Sequence, residues 1–287
     1  MEPRISVVIN TLNEEANLPY ALRSVKPWAD EIIVVDMYSK DRTVQLAREL
    51  GAKVFFHERA GFVEPARAFA IAQSSGDWIL MLDADELVPY ALSQKLREIA
   101  CGDSADIVRI PWVNYLLGAH MLYTGWGPHQ DPHARFFKRG FITATNDVHN
   151  SLQPVPEGRI MELPFEPEAA VIHFNYINSE HFIEKLNRYT TVDAKQAFAR
   201  GQRIVPWRAT LNGVKEFLIR YVKAQGFRDG WRGFYLSVFM AFYRIAAAAK
   251  LEELQTIGPR EVIESGYQRE AEKFLAAYCA PQRPEVS

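Results

Sequence analysis

Apolar and polar positions over the first hundred residues change period in a regular order. Ile5 to Asn10 is a β-branched run, and Leu18, Ala21, Leu22 and Val25 follow it at helical spacing. Glu31 to Asp36 (EIIVVD) predicts a second strand. Thr43 to Leu50 predicts a short helix, with Gly51 placed to cap it. Lys53 to Phe56 reads as a third strand, Pro65 to Ser74 as a helix ended by Gly76, and Ile79 to Leu82 as a fourth strand. That fourth run offers no polar position to either side, as a strand buried on both faces requires. Pro89 to Ala100 adds a further helix. The series predicts an α/β fold, a mainly parallel sheet with helices on both faces.

Beyond Asp103 the rhythm breaks into short β-like pieces (ADIVRIPW, ARFFK, AAVIHF) separated by aromatic and Pro/Gly-containing loops. After about Asn178 the pattern is helical. The chain therefore divides into a first domain, 1–178, built of halves 1–102 and 103–178, and a helical C-terminal extension, 179–287.

Composition narrows the classes. Of 287 residues, 48% are hydrophobic and 24% charged, ordinary for a soluble globular chain. The net charge of −2 speaks against a general nucleic-acid partner. Cys101 and Cys279 are too few and too far apart for a zinc cluster or a disulfide framework, which suits a reducing cytosol. The apolar run of MEPRISVVIN is too short for a signal sequence. Phe234 to Ala249, interrupted by Arg244, falls short of the ~20 residues a bilayer span needs.

The candidate chemistry gathers at the strand ends. Strand one runs into Thr11-Leu12-Asn13-Glu14, where Thr11 and Glu14 have capping-box spacing. The alternative is a polar mouth facing a nucleotide base. Asp36 ends strand two, where a carboxylate can accept from a ribose hydroxyl or from the N3–H of uracil. In WILMLDADELVP a buried strand ends in Asp83, Asp85 and Glu86. Such acids either cap the next helix or hold an oxygen-preferring cation against a diphosphate. Following two other strand-end mouths, the second reading gains weight, with Glu86 left at the helix start.

ISVVINTLNEEANL, EIIVVDMYSKDRT, GFVEPARAFA and GDWILMLDADE together resemble the successive motifs of family 2 inverting glycosyltransferases with a GT-A fold. The likeness is nearest to bacterial members that build lipopolysaccharide core or other surface glycans. It extends less specifically through YTGWGP, ARFFKRG, VHN and LNRYTT. The resemblance implies that Thr11, Asn13, Glu14, Asp36 and Ser39 line base and ribose and that Asp83 contacts the nucleotide. It also implies that Asp85 holds Mn²⁺ or Mg²⁺ and that Arg67 lies near the diphosphate. Two positions depart from the pattern: Ala68, where members often carry Asn, and Asn150, where many carry an acid.

An inverting transfer needs a base for the acceptor hydroxyl. ATNDVHN offers Asp147 as that base, with His149 orienting the acceptor or sharing the work; an Asx-turn with a partly buried His is the structural alternative. His173 ends the run AAVIHF and is the candidate further metal ligand, or else a hydrogen-bonded structural histidine. His129 and His133 have zinc-like spacing, but Pro128 and Pro132 rule out the shared helical face. Trp112, Tyr115, Tyr123 and Trp126 stack on sugars, form a lid, or belong to the core.

From Arg200 to Lys250 ten Lys/Arg face only Glu216 and Asp229. With Leu211, Val214, Leu218, Tyr221 and Val222 on one helical face, the segment either lies in the interface of an anionic membrane or packs on the protein. The sequence thus predicts a metal-dependent glycosyltransferase. Its donor is a nucleotide-sugar, UDP-linked, and its acceptor a saccharide of a bacterial envelope glycolipid. It works in the cytoplasm, peripheral on the inner membrane. The rivals are a polyprenyl-phosphate glycosyltransferase and a non-catalytic nucleotide-sugar-binding scaffold. A sugar nucleotidyltransferase would need a Gly-rich phosphate loop where this chain has TLNEE.

Overall fold

The structure, a computed structural model, describes residues 2–58, 64–128, 133–144 and 152–279. Strands β1 (Ile5–Thr11), β2 (Glu31–Asp36), β3 (Lys53–Phe56) and β4 (Trp78–Asp83) alternate with helices α1 (Leu18–Val25), α2 (Thr43–Glu49) and α3 (Glu64–Gln73). A two-residue strand, β5 (Glu86–Leu87), precedes α4 (Tyr90–Gly102). Then come β6 (Ile107–Ile110), β7 (Trp112–Leu116), β8 (Ala119–His120), β9 (His133–Lys138), β10 (Ile142–Ala144), β11 (Leu152–Pro154), β12 (Ile160–Glu162) and β13 (Val171–Tyr176). Helices α5 (Ser179–Ala199), α6 (Pro206–Leu218), α7 (Gly230–Thr256) and α8 (Arg260–Cys279) follow.

The main sheet has seven strands in the order β12-β6-β9-β4-β1-β2-β3. Strands β4, β1, β2 and β3 are parallel, and β9 enters antiparallel between β4 and β6. Alternate residues feed two cores. Ile5, Val7 and Ile9 of β1 and Trp78, Leu80 and Leu82 of β4 pack with Leu18, Leu22, Leu92 and Leu96 of α1 and α4. On the other side Val8, Ile79 and Met81 pack with Ala66 and Ala70 of α3. Burial on both faces is why these strands read as continuous apolar runs. Gly51 takes a φ of +90° just past α2, the left-handed turn its expected capping role requires.

A second, four-stranded sheet has the order β5-β13-β7-β8. It decides where the acids of the LDADE stretch go. No helix begins there: the backbone turns after Asp83, Glu86 and Leu87 pair with His173 and Ile172 of β13, and α4 starts only at Tyr90. Glu86 is therefore a buried strand residue and not the helix-start residue the sequence suggested. Likewise Thr11 and Glu14 form no capping box, because Thr11 closes β1 and α1 begins at Leu18.

The chain forms two compact units, Met1–Lys185 with Phe217–Phe239, and Leu186–Glu216 with Met240–Ser287. In the second, Lys250 Nζ donates to Asn187 O and Oδ1 (both 2.7 Å) and to the hydroxyls of Thr190 and Thr191 (both 2.8 Å). Tyr243 Oη donates to Asp193 Oδ2 at 2.6 Å.

Candidate active site

All the site residues described below belong to the first unit. The mouth of β1 and β2 is a small polar lattice. The buried Asp36 accepts from Thr11 Oγ1 at 3.0 Å, from Ser39 N–H at 2.8 Å and from Ser39 Oγ at 2.5 Å. Asn13, with φ at +56°, donates its N–H to Ser39 Oγ (2.7 Å) and accepts from Lys40 N–H (2.8 Å). Glu14 N–H donates to Thr43 Oγ1 at 2.8 Å, and its carboxylate accepts from Asn17 Nδ2 at 2.9 Å. Burial raises the Glu14 pKa; the Asn17 bond opposes this, and the charge of Asp85 adds to it. The predicted residues Thr11, Asn13, Asp36 and Ser39 thus form one hydrogen-bonded rim, and Glu14, next to Asn13, bonds instead to Thr43 and Asn17.

At the mouth of β4 the two aspartates separate. Asp83 is clamped by guanidinium groups: Arg67 Nη2 lies 3.0 Å from both carboxylate oxygens, and Arg135 Nη2 is 3.0 Å from Oδ2. Burial would raise its pKa, but Arg135 and Arg67 outweigh that and hold the carboxyl far below the usual range. Glu86 sits beneath, accepting the Asp83 N–H on Oε2 at 2.7 Å, with Oε1 3.8 Å from Arg135 Nη2. Burial raises the Glu86 pKa and the neighbouring Asp83 adds to it, against the pull of Arg135. Arg67, expected near the diphosphate, is in this structure the partner of Asp83.

Asp85 points elsewhere. Its Oδ1 is 3.6 Å from His173 Nε2 and its Oδ2 is 4.0 Å from Lys185 Nζ. The β5–β13 pairing brings this about, since Phe174 N–H donates to Asp85 O at 3.0 Å. His173 Nδ1 lies 2.9 Å from Asn114 Oδ1, an acceptor, so Nδ1 carries the proton and Nε2 faces Asp85. Asn114 in turn donates Nδ2–H to Trp126 O at 3.0 Å. The Trp112 ring lies over this group, its centroid 4.1 Å from that of His133 and 5.0 Å from that of His173, with Arg135 at 5.2 Å. Burial lowers the His173 pKa, but the neighbouring carboxylates, Asp85 foremost, outweigh it and raise it.

A metal fits this pair in part. At 3.6 Å, His173 Nε2 and Asp85 Oδ1 are too far apart for a hydrogen bond. Two atoms each about 2.1 Å from one cation stand about 3–4 Å apart. An imidazole whose far nitrogen donates to a fixed acceptor is the usual oriented ligand. Among the described residues no third His, Cys, Asp or Glu joins them, so the remaining positions would fall to phosphate oxygens and water.

Asp147 and His149, with Asn150, lie outside the described residues, as does His129. His133 opens β9. Sequence reasoning missed Glu86, Asn114, Arg135 and Lys185. The first carried a misleading helix-start signal. Asn114 and Arg135 stand between apolar or aromatic neighbours and Lys185 in the mixed helical stretch IEKLN, with no local mark of what they meet.

Residues 6–150 match the model of glycosyl transferase family 2. A glycosyltransferase of Rickettsia bellii, itself uncharacterized, is 30% identical over 258 residues, covering 88% of this chain and 87% of the relative. The lipopolysaccharide core biosynthesis glycosyltransferase LpsC of Rhizobium meliloti is 28% identical over 267 residues, 91% of this chain and 96% of the relative. A Mycobacterium tuberculosis glucosyl-3-phosphoglycerate synthase structure with Mn²⁺, UDP and glucosyl-3-phosphoglycerate is 20% identical, covering 70% of this chain and 81% of that one, with a TM-score of 0.45. The chain belongs to glycosyl transferase family 2. Its mixed sheet with helices is the GT-A fold, carrying C-terminal helices.

Proposed function

We propose that this glycosyltransferase is metal-dependent and inverting, and moves a hexose from a nucleotide-sugar, with UDP as the nucleotide, to a saccharide of a bacterial envelope glycolipid such as lipopolysaccharide core. The observation that carries the reading is the Asp85–His173 pair, 3.6 Å apart and oriented by Asn114 at the mouth of β4. In a glycosyltransferase this is where the leaving diphosphate would have its charge met. The likeness to LpsC along most of both chains supports the acceptor class.

In this reading the rim from Thr11 to Ser39 receives the base and ribose. Asp83, rigid between Arg67 and Arg135, presents a fixed carboxylate edge to the nucleotide, with Arg67 toward the diphosphate. Asp85 and His173 would hold Mn²⁺ or Mg²⁺, which when bound supplies positive charge to the departing diphosphate. Lys185, 4.0 Å from Asp85, adds a fixed cation on the same side. Asp147 takes the acceptor proton as the hydroxyl attacks the anomeric carbon, and His149 orients that hydroxyl. Residues 1–102 serve the donor and 103–178 the acceptor. The extension 179–287 serves a peripheral position on the cytoplasmic face of the inner membrane, where a lipid-linked acceptor resides.

Calorimetry with UDP tests the metal site. Added Mn²⁺ is expected to tighten UDP binding by roughly tenfold or more in the wild type and to have no effect in Asp85→Ala. Equal UDP affinity with and without Mn²⁺ in the wild type would contradict it.

A further inference from the structure

The segment Phe217–Phe239 belongs to the unit that holds the candidate active site. It comprises the end of α6, a π-helical turn (Ile219–Lys223), a 3-10 turn (Gly226–Asp229) and the start of α7. The inner side of this tip is built for close approach. A Cβ on Gly233 would stand 1.8 Å from Gly226 O, and one on Gly226 would stand 2.8 Å from Arg220 O. Leu236 and Ser237 are fully buried. Asp229 locks the tip to the turn after β8, accepting from Leu122 N–H (3.3 Å), Tyr123 N–H (3.2 Å) and Thr124 Oγ1 (2.5 Å). Arg220 Nη1 donates to Thr124 O at 3.0 Å and its guanidinium lies 4.5 Å from the Trp126 ring centroid.

The outer side is different. Val222, Phe227, Trp231 and Tyr235 remain 55, 53, 54 and 49% exposed, and Leu122 beside them is exposed as well. Of the four cations between Phe217 and Phe239, Arg220 and Arg232 donate inward to Thr124 O and Leu117 O, and Lys223 and Arg228 are exposed. The one acid, Asp229, is turned inward onto the 122–124 turn. The outward face of this segment therefore combines large apolar and aromatic groups with the positive charge of Lys223 and Arg228, and the segment adds no outward carboxylate. A surface facing water mixes both signs and keeps such groups scattered. Aromatics flanked by Lys and Arg suit the boundary of an anionic bilayer, where rings enter the acyl edge and cations meet headgroup phosphates. By length and composition alone, Gly226–Thr256 could also cross a membrane. Its start, however, carries a buried inner side and an exposed outer side, the arrangement of a helix lying in the interface plane.

We infer that this tip is the enzyme's membrane-docking surface: Val222, Phe227 and Trp231 enter an anionic bilayer while Lys223 and Arg228 bind its headgroup phosphates. Contacts lead from it to the candidate active site. Asp229 holds Thr124, Trp126 O accepts from Asn114, and Asn114 holds His173. Docking by the tip brings the turn at Leu122–Trp126, on the acceptor side of the chain, to the lipid surface. This last consequence rests on the proposed lipid-linked acceptor; the docking surface itself does not.

Flotation of the full chain with vesicles tests it, using phosphatidylcholine alone and phosphatidylcholine with one quarter phosphatidylglycerol, at low and high salt. The wild type is expected to float with the anionic vesicles at low salt and to be released by salt. Lys223→Gln with Arg228→Gln should weaken that binding by roughly tenfold or more. Phe227→Ser with Trp231→Ser should abolish it. Absence of binding to anionic vesicles, or undiminished binding by both double variants, would overturn the inference. So would a lipid-free dimer that the Phe227/Trp231 variant dissolves, with no vesicle binding by the wild type. Nucleotide-sugar hydrolysis measured in lipid-free buffer controls for folding and should persist in both variants. Flotation without hydrolysis by the wild type would remove only the transfer reading, and hydrolysis without flotation only the docking surface.

Discussion

Asp83 and Asp85 stand two positions apart and have different partners, which shows how far the surroundings of a side chain outweigh its type. Asp83 is neutralised by Arg67 and Arg135 and cannot leave that clamp without stranding buried charge. Asp85 meets a histidine at 3.6 Å and an ammonium at 4.0 Å, contacts loose enough for an incoming cation or phosphate to replace. The residue that sets this geometry is Asn114, because its Oδ1 fixes the ring and tautomer of His173. Asn114→Leu is expected to lower Mn²⁺ affinity roughly tenfold to hundredfold, while UDP binding without metal stays near the wild-type value. Titration with Mn²⁺ followed by calorimetry measures both. Unchanged Mn²⁺ affinity would remove His173 from the ligand set.

At the scale of elements, β1, β2 and β4 were legible because burial on both sheet faces leaves mostly apolar residues, and the helices between them by their helical spacing. In the second half the pieces ADIVRIPW, ARFFK and AAVIHF become β6, β9 and β13 and the chain after Asn178 is helical, but the strand pairings were not legible. Strand β5 has two residues and exists only through pairing with β13, some 85 residues later, so no local period announces it. For the same reason Glu86 read as the start of a helix. Nor does any local signal say that β9 inserts antiparallel between β4 and β6, which is what brings Arg135 to Asp83. The strand-end acids were legible as a group, but their division into a clamped and a loosely held carboxylate depended on these distant partners. Between elements, Glu31 at the start of β2 is a comparable fastener, accepting from Ser6 Oγ (2.6 Å), Lys53 Nζ (2.8 Å) and Ser75 N–H (2.7 Å). Burial pushes its pKa up, but the Lys53, Ser6 and Ser75 donors outweigh this and bring it from 4.5 to about 2. The folded carboxyl therefore binds its proton less readily than the unfolded one. Its stabilisation is complete above pH 4.5 and is lost as pH falls through about 2. Glu31→Gln should cost roughly 2 kcal/mol at neutral pH. Its deficit against the wild type should shrink as urea unfolding is repeated at progressively lower pH across that window, and a constant deficit would contradict the assignment.

For the whole molecule, a family 2 glycosyltransferase fold carries a polar rim at β1 and β2, a clamped aspartate, an Asp–His pair and, in the same unit, a basic aromatic tip. In the proposed reading these features serve an enzyme that takes a soluble activated sugar and an acceptor held at a membrane. The central claim is the first of these, metal-dependent use of a nucleotide-sugar. Its most direct test is hydrolysis of a panel of nucleotide-sugars by the purified chain with Mn²⁺, with Mg²⁺ and with chelator. The expected result is turnover of one or a few UDP-sugars with divalent metal and none with chelator. Turnover of none of them, with no binding to any, would contradict it.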